Sequence, residues 1–299
     1  MAALDLSHLG PPVATRDAAT VLALRDTGDG PQVFMVRRDS RLGFLGGAHV
    51  FPGGALDERD CEAAATDVLC GIEGVGELAR VHSDPARARG LLMAAVRELF
   101  EESGILLARD ASHQGNDWID LDQAGPRSER LKAGRAELSS RGGDFAAMIR
   151  AEALRVDVSG LRFFAHWITP EREKKRFDTR FFLARAPEHQ SARHCEVESS
   201  AGEWITPRLA LSRYRQREIE LVPPTIASLE RVRDFESVDA ALNAFTNADI
   251  PCIRPKIQLG EEIVILYPGD SDYESGTPAP PAGRPINRLV MRDGLWHRP

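Results

Sequence analysis

The stretch Ala94–Leu106, AAVRELFEESGIL, decides the fold, because it places an arginine and several carboxylates on one part of a predicted helix. Asp84-Pro85 predicts the start of that helix, since aspartate caps a first turn and proline is favoured at the first helical position. Gly104 predicts its end. At about 100° per residue, the apolar side chains fall on one face of the helix. The opposite arc carries three acids: Glu98, Glu101 and Glu102.

A solvated helix face would be the simplest explanation of this acidic arc. Two features argue against it. Glu98 and Glu102 are like charges four residues apart, which costs a few tenths of a kcal/mol, and only Glu101 has an oppositely charged partner at that spacing, Arg97. Hard divalent ions such as Mg²⁺ bind through a few carboxylates and keep water and phosphate oxygens in their other positions. The arc therefore predicts a divalent metal site.

Residues 97–105, RELFEESGI, match the second half of the Nudix box, G-x5-E-x7-R-E-U-x-E-E-x-G-U with U aliphatic, at every specified position. The first half does not fit at its usual distance, where Ser83 and Arg89 stand in place of the glycine and the glutamate. Gly53-Gly54 of FPGG, which commonly opens the box, lies further upstream. The sequence thus resembles the Nudix hydrolases with a split box, an insertion at about residues 56–84 and no assigned first glutamate.

The runs 43–54, GFLGGAHVFPGG, and 169–182, which begins TP and ends RFDTRFF, are similar to the peroxisomal coenzyme A diphosphatase branch of that family. The resemblance extends from about Thr20 to about Pro224. It implies a single α/β/α Nudix sandwich with a mixed sheet over about residues 18–222. A flexible N-terminus, 1–17, would precede it, and a C-terminal extension, 223–299, would pack on it.

The resemblance also implies roles for individual residues. Glu101 and Glu102 would be direct ligands of Mg²⁺ or Mn²⁺, while Glu98 would orient the site or act as base. The Gly53 carbonyl would be a further metal ligand, and Arg97 would orient the carboxylates through a salt bridge. Nudix enzymes often supply another glutamate from a segment before a tryptophan such as Trp204; Glu198 is the first choice here and Glu196 the second.

The substrate motif of the coenzyme A diphosphatases, R-S-x3-R-x3-G-x3-F-P-G-G, is half matched. Arg38 and Gly47 fit it, whereas Asp39 and Gly43 replace its serine and second arginine. We expect Arg38 and Gly54 to contact the substrate; Arg41 either replaces the missing arginine or is a solvated loop residue. The implied reaction cleaves coenzyme A or an acyl-CoA to 3′,5′-ADP and 4′-phosphopantetheine. The alternatives are an ADP-ribose or NADH pyrophosphatase and a nucleotide sensor without catalysis.

Alternating and β-branched runs predict the surrounding elements. A hairpin through Gly28–Gly30 should join strands at 19–24 and 32–38, and two further strands are expected at 161–169 and 179–184. His166 and Trp167 on one of these strands could face a ligand or pack in the core. Residues 62–69 of the insertion read as a helix. The tail after Leu221 carries no recognisable chemistry and could cover the core, close the site or pair two subunits in a homodimer.

Composition narrows the class of protein. The chain has 38 basic and 45 acidic residues and a formal charge of −7, which argues against binding nucleic acid or anionic membrane. Its four cysteines show neither a disulfide framework nor zinc-ligand spacing. Neither a secretory signal nor a long apolar run is evident, which predicts a soluble cytoplasmic enzyme acting on a small nucleotide. The terminal WHRP is not an SKL-type peroxisomal signal.

Overall fold

The computed structural model describes residues 12–41, 45–112, 118–195, 197, 199–273 and 287–299. Within those residues lie eight α-helices, α1 to α8: Glu58–Ala64, Leu78–Val81, Pro85–Ser103, Pro126–Arg141, Phe145–Ala151, Pro207–Arg215, Pro223–Val232 and Val238–Ala244. They also form fifteen strands, β1 to β15: Arg16–Arg25, Gln32–Arg38, His49–Val50, Gly53–Ala55, Leu69–Cys70, Ala108–Asp110, Leu154–Asp157, Arg162–Ile168, Phe177–Arg185, Ser199–Ile205, Cys252–Ile253, Lys256–Leu259, Ile263–Leu266, Arg288–Arg292 and Leu295–His297.

An eight-stranded mixed sheet forms the centre of the molecule. Its main path runs β10-β2-β1-β9-β8-β11, while β3 pairs with β2 and β4 with β1. The β1–β9 and β8–β11 pairs are parallel and the other pairs are antiparallel. The β1–β2 hairpin and strands β8 and β9 confirm the sequence prediction. β4 pairs with the first half of β1, which places Gly53 opposite Thr20 and Gly54 opposite Ala19.

Helix α3 has the ends that its sequence predicts. The Asp84 side chain accepts a hydrogen bond from the backbone N–H of Ala86, and Pro85 follows at the first helical position. Gly104 ends the helix in the left-handed conformation, with φ of 76°, and its N–H donates to the carbonyl of Phe100. A side chain at this φ would be strained, so glycine fixes the point where the helix stops.

Apolar layers cover both faces of the central sheet. On one face, α3 packs with Leu92, Val96 and Leu99 completely buried, in one cluster with Ala19 and Val21 of β1. On the other face, α6, α7 and α8 pack against the alternate residues of β1, such as Leu22 and Leu24. Since successive side chains of a strand point to opposite faces, β1 contributes to both layers. The predicted α/β/α sandwich with a mixed sheet is confirmed.

The C-terminal strands β12 to β15 form a separate antiparallel sheet that packs on the α6–α8 layer. Trp167 of β8 meets Tyr267 edge-on with ring centroids 5.4 Å apart, and the Tyr214 hydroxyl accepts a hydrogen bond of 2.6 Å from the Trp296 N–H. These contacts bring the C-terminal strands onto the core. A homodimer stays a prediction.

Two predicted boundaries differ from the structure. The first strand already begins at Arg16, whose N–H donates to the carbonyl of Arg176, although residues up to 17 were expected to be a flexible terminus. The helix predicted at 62–69 begins four residues earlier, at Glu58. Asp57 caps it, and the Asp60 carboxylate accepts a hydrogen bond from the Asp57 N–H, which completes a capping box. This cap sets the helix start and outweighs the apolar pattern further along.

In the part of the chain that the structure describes, no helix combines the length and the apolar character needed to cross a membrane.

Candidate active site

The last two turns of α3 bring the predicted acids against β4. Glu102 is 4% exposed, and its Oε2 accepts a hydrogen bond of 3.1 Å from the backbone N–H of Gly53. Glu98 and Glu101 lie on the same side of the helix, with side chains 13% and 19% exposed. The FPGG turn and the acidic arc, which are about 45 residues apart in sequence, therefore form one site.

Gly54 lies so close to Glu98 that a larger residue would displace the Glu98 carboxyl group. A Cβ atom at position 54 would overlap the Glu98 carboxyl group, all three of whose terminal atoms lie nearer than an ordinary contact. A Cβ at Gly53 would similarly meet the Ala19 carbonyl and the Thr20 side chain at 2.5 Å. Both glycines are thus required by close approach, one to the sheet and the other to the acidic arc.

Arg97 connects the acidic arc to helix α1. Its Nε and Nη2 donate to the two carboxylate oxygens of Asp60, each at 2.8 Å, and Nη2 also reaches the Ala55 carbonyl at 3.1 Å. Its Nη1 donates to Glu98 at 2.7 Å and to Glu101 at 3.2 Å. Burial opposes the charge on Arg97, but the hydrogen bonds to Asp60 and the surrounding carboxylates raise its pKa. The guanidinium therefore stays charged and fixes three acids at once.

The electrostatics of Glu98 reflect its crowded position. Burial is the main effect, and with the charge of Glu101 it raises the pKa of the Glu98 carboxyl to about 7, against the lowering effect of Arg97. A carboxylate with a raised pKa beside other carboxylates is in an environment that a bound cation would stabilise.

A cavity of about 480 Å³ opens over this arc, within the usual size range of small-molecule sites. Its polar wall contains the acids, the glycines of β4 and two arginines: Gly53, Gly54, Glu98, Glu101, Glu102, Arg16 and Arg38. Its apolar wall comes from β8, β9, the start of α7 and the C-terminal strands, and includes Trp167, Phe177, Phe181, Val222, Pro255 and Ile265. The tail thus supplies part of the wall of the cavity.

The donor set suits a hard divalent cation, because its side-chain ligands are carboxylate oxygens. Among the described residues, however, no group of three His, Cys, Asp or Glu side chains is arranged so that it could hold a metal ion. Arg97 and the Gly53 N–H each hold carboxylate oxygens of the arc, which spreads the acids along the cavity wall. A cation bound here would therefore draw further ligands from backbone carbonyl, water or phosphate oxygens.

The substrate residues predicted from the loop are separated by the structure. Arg38 lines the cavity, and its carbonyl accepts a hydrogen bond from the Gly47 N–H. Arg41 is 84% exposed, pairs with Asp39 at 2.6 Å and does not belong to the cavity wall as far as the described residues define it. Gly43, Glu196 and Glu198 lie outside the described residues. Trp167 belongs to the wall, whereas His166 points to the opposite face of β8.

A family model and a solved structure are similar to this chain over the region that contains the acidic arc. The family model of the NUDT19 Nudix domain matches residues 87–232. A crystal structure of a NUDIX hydrolase from Alicyclobacillus acidocaldarius superposes with a TM-score of 0.61 and 30% sequence identity, covering 77% of this chain and 96% of that one. This chain belongs to the Nudix hydrolase family. Its similarity to solved structures therefore extends to sequence as well as fold.

Two curated relatives cover most of this Nudix chain. The acyl-coenzyme A diphosphatase NUDT19 of Xenopus laevis is 25% identical over 89% of this chain and 80% of its own length. The protein of the same name from Gallus gallus is 29% identical over 89% of this chain and 81% of its own length. The resemblance of the sequence to the coenzyme A diphosphatase branch is thereby confirmed.

The Nudix box also explains Asp60, which the sequence reading missed. Counted from Gly54, Asp60 is the sixth residue, with five between the two, which is the place of the box glutamate, and it meets the box arginine, Arg97. The box is split after this acid, so the insertion begins after Asp60 instead of at the predicted residue 56. Counting forward from FPGG, instead of backward from the REUxEE half, would have found the residue.

Proposed function

We propose that this Nudix hydrolase cleaves the pyrophosphate of coenzyme A or an acyl-CoA, with Mg²⁺ or Mn²⁺, to 3′,5′-ADP and 4′-phosphopantetheine or its acyl form. One observation carries the proposal: the acidic arc and Arg38 share a single cavity with an apolar wall that includes Trp167, Phe181 and Ile265. Such a cavity offers a polar region to a diphosphate and an apolar region to an uncharged arm. The relatives' name, acyl-coenzyme A diphosphatase, supports the same substrate class.

The carboxylates would hold the metal. Glu101 and Glu102 would be its direct ligands, with the Gly53 carbonyl, and Glu98 would orient the site or take the proton of the attacking water. A divalent ion supplies charge neutralisation at the phosphate oxygens and makes the attacking water more acidic. Glu198 is proposed as a further ligand or base.

Arg97 and Asp60 would work as positioning residues. Because Arg97 contacts Glu98 and Glu101 through one guanidinium nitrogen, its position determines the separation of those two carboxylates. Asp60 in turn holds the other side of the guanidinium through a paired contact, whose planar geometry restricts rotation. These contacts fix the positions of Glu98 and Glu101 relative to Arg97.

Arg38 would bind a phosphate of the ADP moiety, as a charge-assisted contact in the cavity wall. Arg41 is weaker in this role, because Asp39 already engages its guanidinium at the surface. Arg38, at the end of β2, is therefore the residue to test, and Arg41, three residues later, is its matched control.

The test compares kcat/KM for coenzyme A, ADP-ribose and NADH in Mg²⁺, for the natural chain and for Arg38→Ala and Arg41→Ala. Coenzyme A should lead, Arg38→Ala should lower its kcat/KM about tenfold or more, and Arg41→Ala should change it less than about twofold. If ADP-ribose leads by more than about tenfold, roughly 1.4 kcal/mol, the substrate proposal is wrong while the Nudix assignment stands. Tight binding of all three without turnover would favour a nucleotide sensor.

A further inference from the structure

A second cluster of reactive groups lies on the other face of the strands that line the cavity. Cys252 of the edge strand β11 is directly opposite His166 of β8 in the parallel register. The His166 Nε2 is 2.6 Å from Asp178 Oδ1 and 3.8 Å from the Cys252 Sγ. Trp167 and Thr179, the neighbours of His166 and Asp178 in sequence, face the cavity instead.

The protonation of this cluster follows from its geometry. One ring nitrogen of His166 faces both the Asp178 carboxylate and the sulfur. If that nitrogen carried a lone pair, it would oppose a carboxylate oxygen at 2.6 Å, which is unfavourable. The nitrogen therefore carries a hydrogen and donates to both neighbours, so the sulfur is an acceptor. A thiolate accepts such a hydrogen bond better than a thiol does.

Two positive groups near the sulfur, His166 and Arg254, act in the same direction. The exposed Arg254 is close enough to Cys252 for its guanidinium to favour the thiolate, and Arg180 pairs with Asp178. His82 adds positive charge near Asp178 when it is protonated. Burial opposes ionisation of the thiol, but His166 and Arg254 outweigh it and hold the pKa of Cys252 below its ordinary value. Burial and Arg180 oppose the charge on His166, but the hydrogen bonds to Asp178 and Cys252 raise its pKa, so the imidazolium is favoured as the donor.

Among the other cysteines, Cys61 and Cys70 have thiols whose pKa is raised and not lowered. Burial raises the pKa of the Cys61 and Cys70 thiols, and nearby carboxylates, Glu58 and Asp157 respectively, add to that effect. Cys195 is buried, with 9% exposure. Cys252 lies on the edge strand of the sheet and is half-buried, as are Cys61 and Cys70, so the positive groups around it and not its exposure distinguish it.

We propose that Cys252 is a reactive thiolate, a covalent modification site for small soft electrophiles, built by His166, Asp178 and Arg254. In the step itself, the thiol proton is lost to solvent and the sulfur electron pair attacks an electrophilic carbon. With iodoacetamide, the S–C bond forms as the C–I bond breaks, and iodide leaves with the bonding pair. His166 and Arg254 are positioning residues that stabilise the negative sulfur and take no proton from it.

The test follows alkylation of each cysteine in the folded, full-length chain by iodoacetamide, with peptide mass spectrometry, between about pH 6 and pH 9, the range in which thiols ionise. Cys252 should react about tenfold faster than Cys61, Cys70 or Cys195 near pH 7, because the rate follows the thiolate fraction. The advantage should vanish in denaturant, where all four thiols share the same surroundings.

Variants separate thiolate stabilisation from mere exposure. Arg254→Gln changes an exposed residue and should shift the Cys252 pH–rate profile to higher pH, as should His166→Gln. Arg208→Gln, at an exposed arginine paired with Asp234, is the matched control and should leave the profile in place. The proposal is overturned if Cys252 reacts no faster than Cys61 and Cys70. It is equally overturned if Arg254→Gln and His166→Gln both leave the profile unmoved.

Discussion

Asp60 and Arg97 face each other through two hydrogen bonds of 2.8 Å, although 37 residues separate them in sequence. Asp60 is 3% exposed and comes from the first turn of α1, while Arg97 comes from α3, the helix that carries the acidic arc. The pair joins the two halves of the split Nudix box. The inserted residues lie between Asp60 and Arg97 in sequence, and none of them lines the cavity over the acidic arc.

Replacing Asp60 should therefore affect both stability and activity. Asp60→Ala leaves Arg97 with two partners instead of three, and we expect it to cost about 3 kcal/mol, the lower end for a broken buried ion pair. The turnover number should fall with it because Glu98 and Glu101 lose their fixed spacing. Asp60→Glu, which restores the residue type of the box, should retain more of both. Urea unfolding and kcat measured on the same preparations check this, and equal behaviour of the two variants would contradict it.

Gly54→Ala tests the close approach of β4 to the acidic arc. The added Cβ would overlap the Glu98 carboxyl group, so we expect kcat to fall by about a hundredfold or more as that carboxylate is displaced. Gly28→Ala is the matched control, since a Cβ in the β1–β2 hairpin meets nothing within 4 Å. Steady-state kinetics of both variants give the comparison. Unchanged kcat in Gly54→Ala would mean that Glu98 can move without consequence.

Arg288 holds the C-terminal sheet together through two buried carboxylates, Asp270 and Asp272, with 0% and 2% of their side chains exposed. Arg288→Met should destabilise the chain by about 3–5 kcal/mol near pH 7, because both charges lose their partner. Arg292 lies on the same strand as Arg288 and forms an exposed ion pair with Glu262. Arg292→Met removes that pair and should cost less than about 1 kcal/mol. Chemical unfolding followed by tryptophan fluorescence measures both.

The same variant has a defined pH dependence. Burial raises the pKa of Asp270, but the Arg288 guanidinium and the N–H groups of Asp272 and Asn287 prevail and hold it below its ordinary value. Because this pKa is lower in the folded than in the unfolded chain, the ionised carboxylate stabilises the folded state at pH values above the unfolded pKa of about 3.9. That stabilisation is lost as the pH falls through the folded-state pKa. The difference between Arg288→Met and the natural chain should therefore shrink below about pH 4. A difference that is constant between about pH 3 and pH 7 would rule this out.

The sequence predicts elements whose signals are local. Asp84, Pro85 and Gly104 mark both ends of α3, and the acidic arc indicates the metal site, because caps and helical periodicity act within a few residues. Asp60 was missed because its meaning depends on a partner 37 residues away. The helix start at Glu58 was misplaced because a capping box of two aspartates outweighed the apolar pattern. The contribution of Ile265 and Pro255 to the cavity depends on packing between distant segments, which no local pattern reports.

Glu102 is the acid on which the proposed chemistry depends most. Its carboxylate is buried and fixed by the Gly53 N–H, and glutamine can accept the same hydrogen bond. Glu102→Gln also relieves the repulsion with Glu98, so folding stability should hold or rise slightly. The melting temperature of this variant should accordingly stay within a few degrees of that of the natural chain. For a chain of this size, such a shift corresponds to a change of roughly 1 kcal/mol or less in the free energy of unfolding.

The most direct measurement is the initial rate of 3′,5′-ADP release from coenzyme A as Mg²⁺ is varied, for the natural chain and Glu102→Gln side by side. The natural chain should show a rate that saturates with Mg²⁺ and disappears when the metal is chelated. Glu102→Gln should be slower by several orders of magnitude at saturating Mg²⁺. A rate independent of divalent metal, or near-native turnover by Glu102→Gln, would contradict a metal-dependent pyrophosphohydrolase built on the acidic arc of α3.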